Sequence, residues 1–240
     1  MKVIGLLGGM SWESSIEYYR IVNERVRERL GGLHSAQCVL YSVDFAEIER
    51  MQVEGRWDDA AEVLRTAAAK LIDAGAEIVV LCTNTMHKVA DRLDVPLLHI
   101  ADTTAAAVRR TGIGRVGLLG TAFTMEQDFY TGRLAGHGLD VLIPDADDRA
   151  TVHRVIYDEL VRGVVRDESR EAYRDVIARL VDRGAEGVIL GCTEIELLVG
   201  QADSPVPVFP TTRLHAELAV DVALGDDLRV SPDPKRPAGP

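Results

Sequence analysis

The sequence predicts an α/β fold made of two pseudo-symmetric, doubly wound parallel-sheet lobes, with a functional cleft between them. Short apolar segments alternate with amphipathic ones along most of the 240 residues. This alternation is typical of parallel strands covered by helices on both faces. The chain also repeats itself, because LIDAGAEIVVL at 71–81 matches LVDRGAEGVIL at 180–190 at seven of eleven positions, and VIGLLGG at 3–9 matches RVGLLGT at 115–121. Such a repeat indicates two homologous halves.

Glycines and β-branched runs define the elements of the first half. Gly31-Gly32 and Gly75 follow the two long helical patterns, as glycines after helix C-termini do. The segment IVVLC is apolar and β-branched, which is typical of a buried parallel strand. The predicted strands are 2–7, 37–43, 78–82 and 96–100, and the predicted helices are 12–30, 57–74, 85–93 and 103–110.

The second half repeats the same order of elements. The predicted strands are 115–119, 141–143, 187–190 and 206–209, and the predicted helices are 126–136, 151–162, 171–183, 194–198 and 212–223. We therefore expect a first lobe of residues 1–98 plus 211–228 and a second lobe of residues 99–210. The last ten residues, SPDPKRPAGP, contain four prolines and have no apolar period, so residues 229–240 are predicted to form a disordered, Pro-rich tail.

Composition excludes several classes of partner and site. Asp and Glu outnumber Lys and Arg by 38 to 27, a net charge of −11, which disfavours nucleic acid and anionic membranes as partners. No apolar run approaches the length of a membrane span. The three cysteines form no CxxC pair, and the six histidines have no metal-ligand spacing. We expect a cytoplasmic protein with reduced thiols and without a metal site.

The repeat makes the cysteines inequivalent. An offset of 109 residues aligns Thr83 with Cys192 and Cys82 with Gly191. Because successive strand residues point to opposite faces, Cys82 should enter the core if Thr83 and Cys192 face the cleft. Cys38 lies inside a strand and receives the same interpretation. The Cys192 sulfur should lie near a helix N-terminus, which favours a thiolate with a pKa below that of a free thiol.

Two glycine-containing loops are candidate anion sites. Met10 and Ser11 follow Gly8-Gly9 immediately before a helix, and Gly120-Thr121-Ala122-Phe123-Thr124 is the corresponding loop of the second half. Backbone N–H groups and hydroxyls there could hold a carboxylate. Neither loop is a Walker or GxGxxG motif. Two opposed proton-transfer groups, Thr83 and Cys192, across a pseudo-symmetric cleft would suit inversion at a carbon atom.

Four segments within residues 3–224 resemble the cofactor-independent aspartate/glutamate racemase superfamily. They are GLLGGMSWES, LCTNTMHKVAD, LLGTAFTMEQDFY and GCTEIELL. The resemblance is nearest to the L-aspartate/glutamate-specific racemase subgroup. It implies an isomerase that racemises aspartate or glutamate without a cofactor, and a homodimer. In the family's aspartate racemases a cysteine stands at the position of Thr83, which agrees with the internal register.

The resemblance also implies site residues. Thr83 and Cys192 are the catalytic pair, and Asp44 corresponds to the family's active-site aspartate. The implied substrate-binding residues are Met10, Ser11, Asp44, Gln52, Asn84, Thr85, Thr121, Thr124, Thr193 and Glu194. Two positions depart from the aspartate racemases, since Phe45 replaces an arginine and Val161 replaces a lysine. Arg56, Lys88 and Arg133 are possible replacements for these cations, and a surface charge is the favoured interpretation of each.

Two alternatives to a racemase stay open. A decarboxylase or isomerase of the same superfamily needs a single cysteine to protonate one face of an enolate. A non-catalytic protein could bind an amino acid without turnover. Hydrogen exchange at the α-carbon, release of CO2 and binding alone distinguish the three.

Overall fold

Two four-stranded parallel sheets form the framework of the protein. The computed structural model describes residues 1–226. The strands are β1 Ile4–Gly8, β2 Cys38–Ser42, β3 Ile78–Leu81, β4 Leu97–Leu98, β5 Arg115–Gly120, β6 Asp140–Leu142, β7 Gly187–Gly191 and β8 Val208–Pro210. One sheet has the order β2-β1-β3-β4 and the other the order β6-β5-β7-β8. The identical orders confirm the predicted pair of doubly wound lobes.

Helices cover both faces of each sheet. They are α1 Trp12–Leu30, α2 Phe45–Val53, α3 Trp57–Asp73, α4 Ile100–Arg110, α5 Ala122–Glu126, α6 Asp128–Gly136, α7 Ala146–Asp158, α8 Asp167–Asp182, α9 Ile195–Leu198 and α10 Thr211–Leu224. Three further segments form 3-10 helices, Thr85–Arg92, Leu160–Arg162 and Gln201–Asp203.

Two helical segments differ from the prediction. No element was predicted for residues 45–53, where α2 buries Ile48, Met51 and Gln52 on one face. The helix predicted for 126–136 begins at Asp128 as α6, because Gln127 adopts extended backbone angles and separates it from the unpredicted α5. In both places tertiary packing decides a structure that the local apolar period indicates poorly.

Side chains of the central strands alternate between two cores of the first lobe. Val80 and Cys82 pack with Ile4 and Leu6 below α1 and α10, whereas Leu81 packs on the opposite face of the sheet with the α3 helix. Cys82 is fully buried. The expectation that Cys82 belongs to the core is confirmed, and Thr83 is the first residue to emerge at the strand's carboxyl end.

The last helix returns to the first sheet. Ala216, Ala219 and Val220 of α10 pack with Ile4 and Leu6 of β1. Helix α4 packs against the second sheet through Ile100, Ala105 and Val108. These contacts agree with the predicted lobe boundaries, which stay a prediction. The tail expected at 229–240, with residues 227 and 228, lies outside the described residues. Within residues 1–226, no helix is both long and apolar enough to span a bilayer.

Candidate active site

The carboxyl ends of the strands of both sheets border one narrow cleft. The side chains leave a cavity of only about 20 Å³ between them. Its lining residues come from both lobes and are Met10, Phe45, Gln52, Thr83, Asn84, Thr85, Thr121, Ile156, Tyr157, Val161, Cys192, Thr193 and Glu194. Ligands of doubly wound folds bind at this end of the strands. Most of the residues predicted for the site are therefore brought together here.

Cys192 follows β7, and its side chain is buried. Its side chain is 7% exposed, and Sγ donates a hydrogen bond to Oε2 of Glu194 over 3.0 Å. Burial, and next the negative charge of Glu194, raise the pKa of this thiol well above its usual value. The backbone N–H groups of Glu194 and Ile195 act in the opposite direction but are outweighed. The expectation of a lowered thiol pKa is wrong, because α9 has four residues and the sulfur is desolvated.

Glu194 joins the two lobes across the base of the cleft. Its Oε1 accepts a hydrogen bond from Ser11 Oγ over 2.6 Å, and its Oε2 accepts one from Thr193 Oγ1 over 2.7 Å. Ser11 is also the N-cap of α1, where its hydroxyl accepts from the backbone N–H of Ser14. The carboxylate therefore has three neighbouring donors, the Cys192 thiol included. Ser11 acts here through Glu194, since it is absent from the cleft lining.

A buried histidine fixes the backbone of Thr83. Nδ1 of His87 donates to the carbonyl oxygen of Thr83 over 2.7 Å, and Nε2 accepts from the N–H of Ile100 over 3.2 Å. The ring packs against His99 and His215, with centroids 4.5 and 5.8 Å away. Burial lowers the pKa of His87 well below its usual value, and lowers that of His99 to about 3 and that of His215 to about 4. All three rings are neutral at pH 7.

Hydroxyl and amide groups form a polar cradle between the lobes. Thr85 Oγ1 lies 3.0 Å from Thr121 Oγ1, and Asn84 Nδ2 donates to Thr211 Oγ1 over 3.0 Å. Oδ1 of Asn84 is buried without a hydrogen-bond partner within residues 1–226. Thr124 is fully buried outside the cleft lining, where its hydroxyl lies 3.2 Å from that of Thr121. Thr124 thus positions Thr121 rather than lining the cleft.

The wall around Gln52 combines polar and apolar side chains. Tyr157 donates its hydroxyl to Oε1 of Gln52 over 3.1 Å, and Nε2 of Gln52 donates to Sδ of Met86 over 3.0 Å. Phe45 and Val161 complete this side of the cleft. Sequence reasoning found Gln52 but missed Tyr157, because the face that α7 turns toward the first lobe has no signature in the sequence.

Asp44 does not line the cleft. It is the N-cap of α2, where Oδ1 accepts from the N–H of Ala46 over 3.0 Å, and its side chain is exposed. The structure shows Asp44 as a helix cap, and its place among the substrate-binding residues stays a prediction. Position 9, just before α1, requires glycine, since its φ is +96° and an added Cβ would lie 2.2 Å from the carbonyl oxygen of Val43.

Among residues 1–226, no cluster of potential metal ligands occurs.

Comparisons with known proteins agree with this geometry. The family model described as Asp/Glu/Hydantoin racemase matches residues 7–219. A candidate Asp/Glu racemase from Yersinia pestis is 56% identical, with a TM-score of 0.86 over 93% of this chain and 100% of that one. An aspartate racemase homologue from Pyrococcus horikoshii OT3 is 34% identical, with a TM-score of 0.80 over 93% and 100% of the two chains.

Curated glutamate racemases are more distant. The enzyme of Corynebacterium kroppenstedtii is 29% identical over 195 residues, which are 71% of this chain and 62% of that protein. The enzyme of Parafrankia is 31% identical over 153 residues, 58% and 52% of the two chains. This chain thus spans about half to two thirds of these curated relatives. On the match over residues 7–219, the chain belongs to the Asp/Glu/Hydantoin racemase family, whose racemases are isomerases.

Proposed function

We propose that the protein racemises an α-amino acid by removing the α-proton on one face and returning a proton on the other. The observation that supports this most is the placement of Thr83 and Cys192. They follow β3 and β7, the equivalent strands of the two lobes, and both line the same cleft. A substrate held between the lobes would present one face of its α-carbon to each residue.

Cys192 is the strong base of the pair. Its thiol proton points to Oε2 of Glu194, so Glu194 is placed to accept that proton when substrate binds. A thiolate formed in a buried site has lost its hydration and is correspondingly basic. The thiolate then removes the α-proton. We assign this step to the L-enantiomer, the enantiomer that metabolism supplies.

Thr83 serves the opposite face less efficiently. A hydroxyl is a far weaker acid and base than a thiol, so return of a proton proceeds through the Thr83 hydroxyl or a water that it holds, which regains its proton from solvent while Glu194 releases the proton that it took from Cys192. An equilibrium constant of one requires equal kcat/KM from both enantiomers. The difference between Cys192 and Thr83 therefore makes kcat and KM differ between the two enantiomers by the same factor.

The polar cradle suits the head group common to amino acids. Asn84, Thr85 and Thr121 offer neutral donors and acceptors between the lobes, and the unpartnered Oδ1 of Asn84 could accept from the substrate ammonium. Thr193 and Glu194 border the same space. Aspartate and glutamate are the substrates named for the relatives, and they are the first ones to test.

The reaction would proceed without pyridoxal phosphate, in the cytoplasm, in a homodimer. The cleft supplies its own proton-transfer groups, and among the described residues no lysine lines it. Cys38, Cys82 and Cys192 are all free thiols, as in a reducing compartment. Trp12, Ile16 and Tyr19 form an exposed apolar stripe on α1, with 61%, 50% and 52% of their surfaces accessible. A second copy of the chain would cover such a stripe.

Exchange of the α-hydrogen in D2O tests the proposal. We expect purified protein to exchange and invert an amino acid with no added cofactor, to keep that activity after dialysis against a chelator, and to show no Schiff-base absorbance. Release of CO2 would replace the proposal with decarboxylation by a single cysteine. Binding of amino acids with neither reaction would indicate a binding protein.

A further inference from the structure

The part of the cleft that would hold the side chain of a substrate suits an uncharged group. We propose, on the basis of the racemase function above, that the preferred substrate is an α-amino acid with a short neutral side chain ending in an amide or hydroxyl. Aspartate and glutamate would then be the poorer substrates of this chain. The observations that support this are the chemistry of the wall, the engagement of the possible replacement cations and the charge already present in the cleft.

The wall that α2, α7 and the 3-10 helix Leu160–Arg162 contribute to the cleft is largely apolar. Phe45 begins α2, Ile156 lies on α7 and Val161 lies in the 3-10 helix Leu160–Arg162. All three line the cleft. Among residues 1–226, no arginine or lysine side chain lines it. A substrate carboxylate at this wall would lose its hydration without gaining an ion pair, which disfavours its binding.

The polar group within this wall is itself neutral. Gln52 accepts from the Tyr157 hydroxyl, and one of its two amide hydrogens is directed to Met86. The other amide hydrogen of Gln52 can donate, and the Tyr157 oxygen can accept. An amide or hydroxyl can use both groups, since each can donate and accept. A carboxylate can accept from the Gln52 amide hydrogen, but it has no hydrogen to donate to the Tyr157 oxygen, and the two oxygens would repel each other.

Two of the three possible replacement cations pair with other residues. Arg133 pairs with Asp102 through two contacts of 2.7 Å. Lys88 donates to Gln127 over 2.6 Å, with its Nζ 4.0 Å from the centre of the Trp57 ring. These possible replacements for a substrate-binding cation are therefore occupied elsewhere.

Arg56, the third of these cations, is also unavailable to bind a substrate carboxylate. Arg56 pairs with Asp59 over 2.7 Å and with Glu54 over 3.0 Å at an exposed position.

Glu194 adds a charge of the same sign as an acidic substrate. Its carboxylate lines the cleft beside Cys192, and its electrostatic effect on that thiol already opposes formation of the thiolate. A second carboxylate on the substrate would oppose it further. A neutral side chain avoids this cost at the step that removes the α-proton.

Isosteric substrate pairs test the inference directly. Asparagine matches aspartate in shape, and glutamine matches glutamate, so each pair differs in charge. We expect kcat/KM for α-hydrogen exchange to favour at least one amide over its acid by about tenfold or more, mainly through KM. Calorimetric binding of the same pairs gives a second readout that needs no turnover. Equal or better binding and exchange of the acids would overturn the inference.

A cation placed in the wall should reverse the preference. Val161→Lys introduces one at the cleft, and Val165→Lys introduces the same charge at an exposed position four residues on. We expect Val161→Lys to shift the acid-to-amide ratio of kcat/KM toward the acid by about tenfold, and Val165→Lys to leave the wild-type ratio. An unchanged ratio in folded Val161→Lys would contradict the inference. If that variant does not fold, the wild-type pairs decide.

The two proposals can fail separately. Tighter binding of an amide than of its acid, with no exchange of any amino acid, would refute racemisation and retain the neutral side-chain pocket. Exchange of aspartate or glutamate in preference to both amides would refute the neutral pocket and retain racemisation.

Discussion

The Cys192 thiol donates a hydrogen bond to Glu194, with Sγ 3.0 Å from Oε2. This contact holds the thiol proton against the carboxylate oxygen. The carboxylate keeps the thiol protonated at rest, and it is also the nearest acceptor for the thiol proton. A resting enzyme of this kind is protected from alkylation and oxidation until a substrate enters, because the thiolate is the reactive form.

Replacing Glu194 should separate thiol reactivity from catalysis. Glu194→Gln removes the negative charge that raises the pKa of Cys192, so iodoacetamide should label Cys192 faster at pH 8 than in the wild type. Racemisation should nevertheless fall, by about 10²- to 10³-fold in kcat, because the proton acceptor is lost. Alkylation followed by mass spectrometry and kinetic assays measure the two effects.

Glu196→Gln is the matched control. Glu196 is partly buried, with its pKa raised to about 7 mainly by desolvation, but its Oε1 accepts from the N–H of Thr212 rather than from the thiol. Labelling of Cys192 and kcat should stay near wild-type values. Parallel loss of kcat and of labelling in Glu194→Gln would show that Glu194 has a structural role alone.

Cys82 and Cys192, the two cysteines at strand ends, should differ sharply in their effects. Cys192→Ala should abolish α-hydrogen exchange from the L-enantiomer. Cys82→Ala should destabilise the fold by about 1 kcal/mol, since a small core side chain is lost, and should keep most activity. Urea unfolding and exchange assays measure these outcomes. A folded Cys82→Ala protein that is as inactive as Cys192→Ala would make the 109-residue register wrong.

Thr83→Cys should restore two thiols across the cleft. In the wild type, the L-enantiomer should exchange its α-hydrogen faster than it inverts, because Cys192 can return a deuteron to the face it came from. The D-enantiomer should exchange slowly. The variant should bring exchange and inversion closer together and raise kcat from the D-enantiomer, while kcat/KM stays equal in both directions. Thr83→Ser is the control, and a rise with Ser equal to that with Cys would contradict a role for thiol acidity.

The internal repeat is what made the site predictable. Side chains alternate along a strand, so aligning the halves at once assigned Thr83 to the cleft and Cys82 to the core. Asp44 caps α2 outside the cleft lining, and the sequence could not show this because a helix N-cap and an active-site aspartate have the same local sequence appearance. Tyr157 was missed because its helix contributes to the cleft through packing between lobes. The pKa of Cys192 was predicted with the wrong sign because desolvation depends on burial that a motif does not encode.

The buried histidines predict how stability depends on pH. His87, His99 and His215 have pKa values lowered by burial in the folded protein, to about 3 for His99 and about 4 for His215. The unfolded chain therefore binds more protons below its histidine pKa of about 6.5, and stability falls as the pH decreases from there toward the folded values. Each histidine contributes about 1.4 kcal/mol per pH unit in this window.

His99→Asn isolates one of these contributions. His99 is the N-cap of α4, where Nδ1 accepts from the N–H of Ala101 over 3.2 Å, and asparagine can cap in the same way. We expect the unfolding free energy of the variant to decline less steeply between pH 6.5 and 4.5, by about 1.4 kcal/mol per pH unit, with little change at pH 8. Urea titrations across this range measure it. Parallel pH profiles for the variant and the wild type would mean that His99 titrates normally in the folded protein, because only a histidine whose pKa is lowered by folding adds to the slope.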